Sequence, residues 1–143
     1  MPKLLLFAPC EKALVDEQTH TLSVIAVLQE IHYKLPPGTA APPAGAALPL
    51  QWSVVSLWQE EDPADAGVEF EQRIVLENTA GTVLLSNEQK WTFTQPNHRI
   101  VANIVGLPLG SRKLMLRLFY RVPPTRDWIP AATFPVALQQ DAL

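Results

Sequence analysis

The sequence predicts an all-β fold: a two-sheet antiparallel sandwich, immunoglobulin-like or C2-like, with about eight or nine strands in one domain. Three observations carry this. Apolar and charged residues alternate with period two through several segments. Fourteen prolines are spread along 143 residues, which leaves little room for long helices. The intervening segments are short, rich in Val, Leu, Ile, Thr, Phe and Trp, and bounded by turn residues.

Residues 68–78 show the alternation best. Val68, Phe70, Ile74 and Leu76 fall on one face, and Glu69, Glu71, Arg73 and Glu77 on the other. Helical spacing would scatter these charges around a cylinder, whereas a pleated strand sorts them. Asn78 and Gly81 then suit a tight reversal. Residues 82–85 and 89–94 follow as two further strands separated by a turn or bulge at Ser86–Glu88. In 112–122, Leu114, Leu116, Leu118, Tyr120 and Val122 point one way, with Lys113, Met115, Arg117, Phe119 and Arg121 opposite. Residues 50–58 and 100–105 are apolar on both faces over part of their length, as strands in the middle of a sandwich can be. Residues 128–138 close the domain as an edge or irregular strand, because Pro130 and Pro135 interrupt its ladder.

Near the start, residues 4–15 read as a strand that turns at 16–19 and pairs with 21–35. That second segment carries two patterns. Val24, Val27, Leu28, Ile31 and Leu35 make a helical stripe, while Ile25, Val27, Ile31 and Tyr33 make a strand face. The β-branched content favours a long, bent strand. Between 35 and 49 lie five prolines, two glycines and five alanines, the composition of an extended surface loop.

Composition narrows the function classes. Hydrophobic residues are 48% of the chain and charged residues 17%, enough for a core without metal or disulfide support. A net charge of −3 lacks the basic surface that nucleic acid demands. The apolar stretch at 4–8 is too short for a secretion signal, and no run reaches a membrane-spanning length. With a single cysteine, no internal disulfide forms, and the chain reads as soluble and cytoplasmic.

Local catalytic signatures are missing: there is no glycine-rich phosphate loop, no H-E-x-x-H and no G-x-S-x-G. His20, His32 and His98 are far apart, so the sequence points away from an enzyme and implies no cofactor. Cys10, beside Glu11, reads as a small buried hydrophobe. Two constellations remain. Loop carboxylates are the ligands that calcium prefers, and Asp16 and Glu17 would share one end with Glu60, Glu61, Asp62 and Asp65 if strands alternate strictly up and down. By the same parity, Asn97, His98, Arg126 and Trp128 would gather with the Pro-rich loop at the opposite end. An aromatic ring beside Arg, His and Asn there suits a glycan or other small polar ligand.

Cys10-Glu11, an acidic turn and then Leu22-Ser23-Val24-Ile25 together resemble the opening of a bacterial family of small domains of unknown function. The resemblance covers the first thirty residues and, beyond them, strand pattern. It implies a β-sandwich in a bacterial cytoplasm and carries no activity, cofactor or site residue. The expectation is therefore a non-enzymatic interaction module that binds another protein or itself through a sheet face or edge. Met115 and Phe119, with Val101, motivate it as apolar groups on outward faces.

Overall fold

A computed structural model describes residues 1–141, and those residues form nine strands. These are β1 (Lys3–Asp16), β2 (Thr21–Val27), β3 (Glu30–Tyr33), β4 (Ala47–Gln59), β5 (Glu69–Glu77), β6 (Val83–Thr92), β7 (Asn97–Pro108), β8 (Lys113–Arg121) and β9 (Ile129–Gln140). One sheet has the order β2-β1-β4-β7 and the other β3-β9-β8-β5-β6. The all-β, two-sheet expectation holds. The arrangement of β4 and β7 against β9-β8-β5-β6 follows immunoglobulin strands B and E against G, F, C and C′.

The alternation seen in the sequence is the core. Leu114, Leu116 and Leu118 of β8 are fully buried, as are Phe70, Ile74 and Leu76 of β5. Each such side chain contributes about 1.5–3 kcal/mol relative to an exposed one. Facing them from β4 are Trp52, Val54 and Trp58. Trp58 stacks on Trp91 at 5.1 Å, and Trp91 on Phe70 at 5.3 Å, so aromatic rings close the end of the core.

Three local expectations change. Residues 21–35 are neither one bent strand nor a helix: β2 pairs with β1, then the chain crosses at Leu28–Gln29 and β3 joins the other sheet. Ala26, with φ of 55°, lies just before that crossing. β3 runs parallel to β9, so only the first sheet is antiparallel throughout. Ser86–Glu88 is neither turn nor bulge, because β6 continues through it in register with β5. Three polar residues in a row read as a break, yet their alternation carries on, with Asn87 facing inward opposite Ile74.

The first hairpin does more than extend a sheet. β1 pairs with β4 over Lys3 to Cys10 and with β2 from Cys10 onward. Ser53 and Val55 of β4 point away from the inter-sheet core, as their neighbours Trp52, Val54 and Ser56 point into it. They are nevertheless only 7% and 0% exposed, as are Ala8 at 5% and Cys10 at 0% beside them on β1. Something covers this outer face. An Arg99 guanidinium nitrogen donates to the His20 carbonyl at 3.3 Å, fastening the hairpin tip to β7. The arm formed by residues 11–27 thus folds back over the sheet, with Ala13, Leu22 and Val24 half-buried beneath it.

Candidate functional site

Strand connectivity brings four segments to one end of the sandwich. These are the acidic loop 60–68, the β6–β7 turn, the β8–β9 loop and the tip of the arm. Glu60 N–H donates to the Pro96 carbonyl at 2.7 Å, and His20 lies against Arg99. The Pro-rich loop is at the other end, where Gln140 Nε2 reaches the Ala40 carbonyl at 3.4 Å. Up-and-down parity placed Asn97, His98 and Trp128 with that loop and opposite the acids. The continuity of β6 through Ser86–Glu88 removes one reversal from that count and overturns the placement.

The acids share an end without converging. Asp16 accepts from the Gln18 and Thr19 amides at 2.9 and 3.1 Å, and these bonds hold its carboxyl below the ordinary range. Asp62 caps a single 3₁₀ turn through the Ala64 amide at 2.9 Å. Asp65 is buried and lies 3.1 Å from the Met1 amino group. Glu17, Glu60 and Glu61 are not drawn into these contacts. Among the described residues, no group of three or more His, Cys, Asp or Glu side chains could hold a metal ion. Asp16 and Asp62 shape local turns and Asp65 pairs with the Met1 amine, and the calcium cluster expected from the sequence is not assembled.

The residues proposed for a polar ligand divide between two faces. His98 faces the core rim and stacks on Trp91 at 6.2 Å; burial, then Arg99, pushes its pKa down. Asn97 and His98 line a polar cleft of about 340 Å³ with His20, Thr94, Gln95 and Arg99. Trp128 is on the opposite face of the second sheet. Its ring is 4.1 Å from the Arg121 guanidinium and 4.5 Å from that of Arg73. Both cations are also paired, Arg121 with Glu71 and Arg73 with Glu88, each at 2.7 Å. Trp128 therefore lies on a charged ladder of the sheet surface. Arg126 is exposed and offers its carbonyl to Arg121 at 3.2 Å.

Val101 belongs to the covered outer face of the first sheet, and Met115 and Phe119 to the outer face of the second, so they form no common patch. The apolar surface lies elsewhere. On the arm, Leu14, Val15, Ile25 and Val27 are 37–45% exposed. Val105 of β7, 78% exposed, lines a depression of about 640 Å³ with Glu11, Lys12 and Ala13 at the arm's root. The sequence signal for this surface was that residues 11–27 alternate weakly: Leu14 and Val15 are adjacent, as are Val24 and Ile25, so both faces of the hairpin are apolar.

Among the described residues, no helix is long and apolar enough to cross a membrane. No protein-family model matches the chain, and no curated protein is similar to it.

Proposed function

We propose that the protein is a non-enzymatic interaction module that presents the outer face of its β1–β2 arm to another protein. The observation that carries this is the exposed aliphatic set Leu14, Ile25 and Val27 on one face of a hairpin whose other face carries the half-buried Ala13, Leu22 and Val24. Large aliphatic side chains gathered on one exposed element mark contact surfaces. The arm is anchored at both ends, by the Cys10–Val27 pairing and by the Arg99–His20 bond, so its outer face is held ready for contact. Such preorganisation lowers the ordering cost of binding.

The test is affinity capture from the native host, comparing the wild type with a Leu14→Glu, Ile25→Glu double variant whose fold is checked by circular dichroism. A partner recovered by the wild type and lost by the folded variant supports the reading. Equal recovery by both proteins removes the arm as the contact surface.

A second reading rests on the cleft of Asn97, His98, His20 and Arg99. One guanidinium among imidazole and amide groups suits a small polar or anionic ligand, as the sequence expected of Asn97 and His98 without Trp128. Screening metabolites by the chemical shifts of His98 tests this. Shifts that persist in Arg99→Gln would remove Arg99 from the site.

A further inference from the structure

We propose that the cleft at the start of β7 takes the oxyanion group of a small molecule, phosphoryl or carboxylate, gripped by the Arg99 guanidinium. The inference rests on the second reading above and names the ligand class of that cleft. Its lining is Thr94, Gln95, Asn97, His98 and Arg99 from the β6–β7 turn and the start of β7, with His20 from the arm tip. Every one of these side chains offers a hydrogen-bond donor, and among the described residues no carboxylate lines the cleft. The larger depressions at the arm's root and beside β3 each include a glutamate, Glu11 and Glu30 respectively. The acidic loop 60–68 meets this end through the Glu60 N–H on the Pro96 carbonyl, not through a carboxylate in the cleft. In a chain of net charge −3, the cleft is a local patch of the opposite sign.

Arg99 is the charge that an anion would meet. Arg73, Arg117 and Arg121 each have a glutamate oxygen within 3.0 Å, whereas Arg99 forms no ion pair among the described residues. One terminal nitrogen donates to the His20 carbonyl at 3.3 Å, which steadies the side chain across the cleft. The remaining N–H groups of the guanidinium fork are those that grip an oxyanion in pairs.

His98 is oriented beside it. Its ring lies parallel to that of Trp91, with 10° between the planes. Burial first, and then Arg99, lower its pKa, so near neutral pH it offers one N–H without a charge. The groups facing it are Trp58 across the β4 ladder and Trp91 from β6, both uncharged, with Arg99 on its own strand and His20 across the cleft. A bound anion opposes the effect of Arg99 and favours the imidazolium, so binding and His98 protonation reinforce each other. A volume of about 340 Å³ leaves room for the anionic group and a short body.

NMR titration of the His98 imidazole tests this at constant ionic strength, with three probes: sulfate, acetate and uncharged erythritol. Sulfate keeps its charge near neutral pH, so any pH dependence of its binding belongs to the protein. Sulfate or acetate should give saturable shifts and raise the His98 pKa, and whichever binds tighter tells phosphoryl-type from carboxylate ligands. Arg99→Gln should weaken that binding about tenfold, as loss of a charged hydrogen-bond donor does. Because Arg99 also fastens the arm, Asn97→Asp supplies a second variant: it adds a carboxylate to the lining, leaves the anchor in place and should weaken binding similarly. Anions that give no saturable shift overturn the proposal, as does binding equally strong in both variants. Saturable shifts from erythritol alone would keep the cleft as a site and remove the oxyanion, and no shift from any of the three probes would count against both.

Discussion

Trp58 and Gln72 tie the two sheets together: the indole Nε1 of Trp58 donates to Gln72 Oε1 at 3.0 Å, buried between the sheets. Ser56 Oγ donates to the same oxygen at 2.7 Å, so one amide carbonyl receives two donors from the facing strand. An indole nitrogen only donates, which fixes the orientation of the Gln72 amide. Gln72→Met keeps the volume and strands both donors. The expected loss is about 1–3 kcal/mol in a urea titration. Adding Ser56→Ala should recover part of it, by removing one stranded hydroxyl. A neutral single variant would show that the network contributes nothing to stability.

Trp128 should prove peripheral to the fold. It rests on Arg73 and Arg121, both of which keep their glutamate partners without it. Trp128→Ala is expected to remain folded and to lose about 1–2 kcal/mol, the range for a partly desolvated cation–π contact. Wholesale unfolding of the variant would place the ring in the core instead.

Two histidines should titrate in opposite directions. His32 lies 2.9 Å from Asp141 and 3.1 Å from Glu30, and the hydrogen bond to Asp141 raises its pKa most. His98 is lowered, by burial first and then by Arg99. The raised group adds stability that is fully present below its unfolded pKa and is lost as pH rises through its folded value. The lowered group adds stability present above its unfolded pKa and lost as pH falls through its folded value. Proton NMR of the imidazole resonances checks the order: His98 should deprotonate at the lower pH, and coincident midpoints would refute it.

Cys10 should be inert in the folded protein. It is 0% exposed, and burial pushes its thiol pKa up, so little thiolate is available and no reagent can reach it. Labelling with a thiol reagent is expected to be slow under native conditions and fast in denaturant. Rapid native labelling would mean that the arm over the β1–β4 face opens readily.

The period-two signal in residues 68–78 and 112–122 was enough to place Phe70, Ile74, Leu76 and the three leucines of β8 in the core. That signal is local: a strand's two faces are set by the chain's own pleat, whatever its neighbours. Residues 50–58 showed apolar groups on both faces, and the structure explains why. Trp52, Val54 and Trp58 meet the second sheet, and Val55 lies under the arm. Sequence could register the double burial but not what supplied the second cover.

The candidate sites were less legible for the same reason. Asp16 and Glu60, or His98 and Trp128, are grouped only by counting strand reversals, and the reversal that Ser86–Glu88 suggests but β6 does not make would put His98 and Trp128 beside the Pro-rich loop instead of at the end of the acids. The split of residues 21–35 was also invisible, since either half alternates well enough for a strand and only its pairing partner differs.

By itself, then, the sequence determined the all-β class, the faces of the regular strands, the buried character of Cys10 and the lack of a local catalytic signature. Tertiary structure alone decided that β3 crosses to run parallel with β9, that the first hairpin covers a sheet, and that Trp128 rests on two arginines. The physical reason is range. Pleat and propensity act between neighbours in the chain, whereas sheet assignment, covering layers and site assembly depend on contacts between residues tens of positions apart.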